Sequence, residues 1–264
     1  LTYAVSGVTS VTQTITPGGL QLLTPAAGAV SGAAFTTQPV VRKLTSGNVL
    51  DTSDSTTVVT MTVSRGATVF GTATATMSGG VATFSGAGVS GFSGKTYTIT
   101  YTPASGDPVT QTIAPTVGAA AQLVITAYPT FAVNGSAFGF DQASDYMKVE
   151  VRDAGGNTVN SSATVTATVN NSGTLLGTTA PTASSGIATF TNLGITGTTG
   201  TAYTVTFTSG SLGTATYTTT LLGTSPVTAA TVAAASETRN PINYRFSPLA
   251  AAGTANVTYG MALS

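Results

Sequence analysis

The sequence predicts an all-β protein made of two tandem antiparallel β-sandwiches with strand-exchanging terminal segments. Three observations predict it. Apolar and polar residues alternate with period two in many short runs, a unit of about 100 residues occurs twice, and the two ends do not copy that unit whole.

In chain order, the opening phrase LTYAVSGVTSVTQTITP (Leu1 to Pro17) repeats ITYTPASGDPVTQTIAP (Ile99 to Pro115), which closes the first full unit. Residues 1–17 are therefore expected to form the terminal hairpin of an incomplete unit. A lone hairpin is marginal in water, and its apolar face at Leu1, Tyr3, Val5, Val11 and Ile15 needs a cover.

The two full units are expected at residues 18–117 and 118–222. SRGATVFGTATATMSGGVATF (Ser64 to Phe84) aligns without gaps on NNSGTLLGTTAPTASSGIATF (Asn170 to Phe190), and the same spacing carries YTITYT (Tyr97 to Thr102) onto YTVTFT (Tyr203 to Thr208). In these strands Tyr97, Ile99 and Tyr101, and likewise Tyr203, Val205 and Phe207, point to one face while the threonines point to the other. ATVTATV (Ala163 to Val169) alternates in the same way. SGG (Ser78 to Gly80) and SSG (Ser184 to Gly186) mark turns, and no segment reads as an amphipathic helix. Upstream, VSGAAF (Val30 to Phe35) matches VNGSAF (Val133 to Phe138), and VVRKLTSGNVL matches VEVRDAGGNTV with Lys43-Leu44-Thr45 set against Asp153-Ala154-Gly155.

VRDAGGNTV (Val151 to Val159), GIATFTNLGITGTTGTAYTVTF (Gly186 to Phe207) and GVATFSGAGVSGFSGKTYTITY (Gly80 to Tyr101) resemble bacterial immunoglobulin-like domains of the Big and invasin type. The resemblance covers roughly Gly18 to Leu222. It implies two immunoglobulin-like sandwiches and a role as spacer, stalk, adhesin module or shell subunit on a cell surface.

Residues 223–264 form a tail that ends in AGTANVTYGMALS, where Val257, Tyr259, Met261 and Leu263 line one face of a strand. Residues 253–264 are the expected donor strand. Burying these four side chains would contribute roughly 6–12 kcal/mol before ordering and association costs. The expectation is that the tail of one subunit and the hairpin of the next combine by strand addition, linking subunits head to tail into a pilus-like filament. Packing of both ends within one chain, or excision from a longer array, are the alternatives; a surface-layer subunit and an adhesin or carbohydrate-binding stalk are the alternative functions.

Composition narrows the chemistry. The chain has 264 residues with 8 basic and 8 acidic side chains, so it offers no basic surface for nucleic acid, and the low charge favours self-association. Thr and Ser make up about 30% of it, as exposed strand faces require, and it reads as secreted. No run of about 18 apolar residues occurs, so no membrane span is expected. Histidine, cysteine and tryptophan are absent, which excludes disulfides, thiolate chemistry and Ser-His-Asp triads. No enzyme activity and no cofactor are expected. Half of the acids lie in FDQASDYMKVEVRD, where Asp141, Asp145 and Asp153 are candidate Ca²⁺ ligands, although ordinary surface acids pairing with Lys148 and Arg152 describe them as well. Lys43, Lys95 and Lys148 are candidates for an isopeptide bond. Sequons at Asn134, Asn160, Asn170 and Asn256 make glycans a candidate partner, besides other copies of the chain itself. RNPINYRF (Arg239 to Phe246) reads as an interface plug or a packed connection.

Overall fold

A computed structural model describes residues 18–139 and 146–223, together with the backbone of residues 2–3 and 11–12. The expected assembly residues Leu1, Val5, Ile15, Val257, Tyr259, Met261 and Leu263, the candidate ligands Asp141 and Asp145, and the segment RNPINYRF lie outside the described residues. Of Tyr3 and Val11 only the backbone is described.

The described chain is all-β. Its strands are β1 (Thr2–Tyr3), β2 (Val11–Thr12), β3 (Leu20–Thr24), β4 (Ala33–Ala34), β5 (Val40–Lys43), β6 (Val58–Val63), β7 (Ala67–Gly71), β8 (Thr74–Thr76), β9 (Val81–Thr83), β10 (Ala87–Gly91), β11 (Tyr97–Pro103) and β12 (Val109–Ile113). They continue with β13 (Gln122–Ala127), β14 (Ala132–Val133), β15 (Ser136–Ala137), β16 (Met147–Arg152), β17 (Thr166–Val169), β18 (Thr174–Leu176), β19 (Ile187–Phe190), β20 (Gly194–Thr196), β21 (Ala202–Thr208) and β22 (Ala215–Leu222). No helix among the described residues is long and apolar enough to cross a membrane.

The sheets of the two halves follow one plan. In the first half the orders are β3-β5-β9, β4-β10-β7 and β12-β11-β6-β8; in the second they are β13-β16-β19, β15-β20-β18 and β14-β22-β21-β17. Pairing is antiparallel except for β14, which runs parallel to β22 with Val133 opposite Leu222; the first half has the matching parallel bridge from Val30 to Thr116. Register repeats residue by residue, with Ile99 opposite Val63 as Val205 is opposite Val169, and Gly88 opposite Ala34 as Gly194 is opposite Ala137. The backbone pairs Thr2 with Thr12 and Tyr3 with Val11, the register in which β11 and β12 pair Thr100 with Thr110 and Tyr101 with Val109.

Register also corrects one alignment. Ala82 opposes Val41 and Ala188 opposes Val149, so β5 and β16 superpose with Lys43 at the place of Val151 and Thr45 at the place of Asp153. The shared Arg-Lys and Arg-Asp pairs in sequence favour a shift of two residues that the ladder does not allow, because pleat and pairing together fix which residue faces which neighbour.

Alternation places the cores. Tyr97, Ile99 and Tyr101 of β11, and Tyr203, Val205 and Phe207 of β21, are buried between the sheets. Each half has its own hydrophobic cluster, centred on the ring pair Phe84–Tyr101 (5.4 Å) in the first and on Phe190–Phe207 (5.1 Å) in the second. Residues change between the two cores. Met61 and Met77 of the first core correspond to Ala167 and Ala183 of the second, while Ala87 corresponds to Leu193, so large and small side chains exchange places across the same interior.

Polar attachments are conserved by different chemistry. Gln111 holds both peptide groups of Ala26, accepting from its N–H at 2.9 Å and donating to its carbonyl at 3.0 Å. The counterpart of Ala26 is Pro129, which has no N–H, and there Tyr217 supplies the single donor needed, its hydroxyl bonding the Pro129 carbonyl at 3.0 Å.

Candidate functional site at the junction of the two halves

β16 ends in the turn Asp153-Ala154-Gly155-Gly156-Asn157. The Asp153 N–H donates to the Asn157 carbonyl at 2.9 Å, the Gly156 N–H donates to the Asp153 carbonyl at 3.2 Å, and Gly156 takes φ +90°, which glycine adopts without a Cβ penalty. The Asp153 side chain folds back into the turn, as aspartates do where chain direction reverses. Its Oδ1 accepts from the N–H groups of Gly155 and Asn157, both at 2.9 Å.

This turn is seated on the first half. Gly118, on the segment joining the halves, donates its N–H to Asp153 Oδ2 at 2.8 Å, and Gln122 Nε2 donates to the Asp153 carbonyl at 2.9 Å. Asn157 Nδ2 donates to Asp153 Oδ1 and Oδ2 (3.1 and 2.8 Å) and to the carbonyl of Gly91 in β10 (2.9 Å); Asn157 Oδ1 accepts from the Ser93 N–H at 2.8 Å. One carboxamide thus joins the acid of the second half to the backbone of the first.

Small residues allow the approach. A Cβ on Gly155 would collide with Ser31 Oγ and the Gly91 backbone, and one on Gly118 would collide with the Ser31 carbonyl. Ser31 itself is buried and accepts the Gly91 N–H on its hydroxyl at 3.3 Å. At the rim the Phe92 ring lies beside Gly156, with Lys95 Nζ 5.7 Å from its centroid.

Asp153 is 0% exposed. Burial alone pushes its carboxyl up, but the Gly118 N–H, the Asn157 side chain and the Asn157 and Gly155 N–H groups together hold it below the usual carboxylate range. It is an ionised carboxylate whose partners are nitrogen donors. Expected as a Ca²⁺ ligand, it has both oxygens turned to N–H groups that a cation would have to displace, and among the described residues no group of three or more His, Cys, Asp or Glu is placed to hold a metal ion. Nor does it pair with a base: Arg152 binds Glu150 instead, at 2.8 Å.

The first half has Thr45 at the place of Asp153 and carries its buried acid elsewhere. Lys43 Nζ meets the buried Asp54 at 2.6 Å and Asp51 at 3.4 Å. Asp54 also accepts the N–H groups of Thr56 and Thr57. The hydrogen bond to Lys43 is the main cause holding the Asp54 carboxyl far below its ordinary range, and the same bond raises Lys43. Isopeptide formation needs a neutral amine and a neutral acid, and this pairing favours the charged forms of both. In the second half the same two places carry Val151 and Ser161, with Ser161 Oγ taking the Ala163 N–H at 3.1 Å and its carbonyl taking the Gly186 N–H as the Asp54 carbonyl takes that of Gly80.

Among the sequons, Asn134 donates from Nδ2 to the Gly197 carbonyl and accepts the Gly197 N–H on Oδ1, at 2.8 and 3.0 Å. Asn170 accepts the Thr204 N–H, and Asn160 is exposed. Sequence reasoning singled out Asp153 but not its partners Asn157, Gly155 and Gly118, nor Ser31, Gly91 and Ser93, which meet the turn from the first half. The Gly-Gly-Asn that follows Asp153 marks a turn, and nothing local marks what the turn meets.

No protein-family profile matches the chain, and no curated protein matches it. Solved structures similar to it include a β-glucuronidase of Parabacteroides merdae (12% identity, 77% of this chain and 24% of the enzyme, TM-score 0.29) and a β-glycosidase of Bacteroides vulgatus (10%, 77% and 24%, TM-score 0.29). Domains 5-6 of the S-layer protein SbsC are similar over 79% of this chain and 100% of that one, at 18% identity and a TM-score of 0.27. The chain spans about a quarter of the length of the glycosidases it matches. At these scores none of the likenesses bears on function.

Proposed function

We propose that this chain is a non-enzymatic structural subunit of an extracellular assembly, in which two tandem immunoglobulin-like sandwiches form a stiff rod and subunits join head to tail. The observation that carries this reading is the amide-and-carboxylate junction at Asp153 and Asn157. A flexible linker between independent modules has no use for a buried acid that orients an amide onto the other half, whereas a rod that transmits shape along its length does. The scarcity of charge supports self-association, and the Thr-rich strand faces support a secreted setting. Strand complementation between residues 253–264 of one copy and the hairpin 1–17 of the next is the proposed tie between subunits.

Negative-stain microscopy and light scattering of the full chain, with and without residues 253–264, test the reading. Extended particles that are lost on deletion are expected. A chain that stays monomeric at every concentration would overturn it, and glycan binding by such a monomer would favour an adhesin stalk; flat two-dimensional arrays would favour a surface layer.

A further inference from the structure

Around Pro129 the second half carries aromatic rings that the first half lacks. Tyr128, Phe131 and Tyr217 stand where the first half has Pro25, Gly28 and Gln111, a correspondence set by the paired ladders and by the shared Phe35 and Phe138. The exchange extends to the residue opposite Phe131. In the first half Thr36 fills the space above Gly28, and in the second the Phe131 ring fills the space above Gly139, where a Cβ would collide with it. A bulky ring on one segment is matched by a glycine on the next, so the backbone itself makes room for it.

The rings are held from beneath. Tyr217 packs edge-on to the buried Phe138, with 6.1 Å between centroids and 70° between planes, and its hydroxyl bonds the Pro129 carbonyl. Tyr128 stacks on Tyr217 at 6.1 Å and 30°. Tyr217 is half-buried, whereas Tyr128 is 64% exposed and Phe131 45% exposed. Elsewhere this fold spends its rings on the interior, as with Phe84, Tyr101, Phe190 and Phe207. Here a buried base braces rings that face water, which removes rotamer freedom that binding would otherwise have to remove.

The surroundings select the ligand. The two segments that carry the rings, residues 126–139 and 209–223, contain no charged side chain, and Thr126 and Thr130, which flank Tyr128 in the chain, are exposed. A charged ligand would lose hydration there without a counter-charge on these segments. A wholly apolar one would cover hydroxyls and leave them without partners. A neutral sugar meets both conditions, because a pyranose ring offers a face of C–H groups for stacking and hydroxyls at its edge for hydrogen bonds.

We propose that Tyr128 and Phe131 form a stacking surface for a neutral carbohydrate. The site goes beyond the assembly reading and does not depend on how copies of the chain join.

Saturation-transfer NMR on the full chain tests it, with neutral oligosaccharides of glucose, mannose, galactose and N-acetylglucosamine as probes and oligogalacturonate as the anionic comparison. Transfer to the ring C–H protons of at least one neutral probe is expected. Tyr128→Ala and Phe131→Ala are each expected to weaken that binding about ten-fold or more. Tyr128→Phe keeps the ring and is expected to stay within about two-fold of the parent, and Phe70→Ala, at an exposed ring of the first half, is expected to change nothing. Light scattering on the same samples reads assembly, which Tyr128→Ala is expected to leave as in the parent. No transfer to any neutral probe, transfer to oligogalacturonate alone, or binding that both alanine variants leave intact would overturn the site. Particles lost in Tyr128→Ala would assign the rings to a contact between copies and overturn it as well, whereas a parent chain that stays monomeric and binds sugar would overturn the assembly reading and keep this one.

Discussion

Asn157 Nδ2 lies 2.8 Å from one carboxylate oxygen of Asp153 and 3.1 Å from the other, and the same nitrogen reaches the Gly91 carbonyl of the first half at 2.9 Å. The acid orients the amide, and the amide holds the halves together. Asn157→Asp keeps the shape but sets a second carboxylate against the first and removes the donor to Gly91. The halves are expected to reorient independently, read as a broadened interdomain distance in small-angle scattering, while each retains its own thermal transition.

Asp153→Ala removes the acceptor for the Gly118, Gly155 and Asn157 N–H groups at a site closed to water. The expected cost is about 3 kcal/mol in the unfolding of the second half, since donors left buried without partners lose hydration and gain nothing. Urea titration followed by tyrosine fluorescence measures it. A loss below about 1 kcal/mol would mean that water or backbone movement satisfies these groups.

Gly155→Ala places a methyl group against Ser31 Oγ and the Gly91 backbone. Because two of the atoms it meets are backbone, the neighbour cannot swing away, and the junction must open. The variant is expected to decouple the halves as Asn157→Asp does, but without changing charge, so that raising the salt concentration does not restore it.

Lys43 and Asp54 in the first half correspond to Val151 and Ser161 in the second, which makes a natural exchange to test. Lys43→Val leaves the Asp54 carboxylate without its cation and is expected to cost about 2–4 kcal/mol. Asp54→Ser added to it is expected to recover at least about half of that loss, because the neutral pair already serves this position in the other half. Chemical denaturation of both single variants and the double variant closes the cycle.

Acid sensitivity follows from the same groups. Asp54 and Asp153 are held below their ordinary range in the folded chain, while in the unfolded chain they titrate near about 3.9. The unfolded state therefore binds their protons first as pH falls. Their contribution is complete above about pH 5 and is lost progressively below about pH 4, as pH falls through the folded values. Lys43 is raised, so its contribution is complete below about pH 10 and is lost as pH rises through its folded value. With no histidine in the sequence, thermal stability is expected to be level from about pH 6 to 9.

Much of the architecture was readable because strand signals are local. Tyr97, Ile99 and Tyr101 alternate with threonine, and the same spacing in Tyr203, Val205 and Phe207 marks the second copy. Where turns differ in length, sequence identity misleads: Arg42-Lys43 and Arg152-Asp153 look equivalent, yet the ladders opposite Ala82 and Ala188 set Thr45 against Asp153. Asp153 drew attention for its charge, and as a cation ligand, because an acid near a turn says nothing by itself about whether cations or N–H groups will surround it.

By itself the sequence determined the strand content, the repeat and the inward-facing residues, since period-two alternation and duplicated segments are properties of neighbours along the chain. Only the tertiary structure decided that Asn157 would bridge Asp153 to Gly91, that Gly118 and Gly155 are small because Ser31 stands beside them, and that Phe131 lies over Gly139 where Thr36 lies over Gly28. Those contacts join residues far apart in sequence. Hydrogen bonding and steric exclusion act across space, and no local pattern records which distant backbone group will arrive at a given side chain.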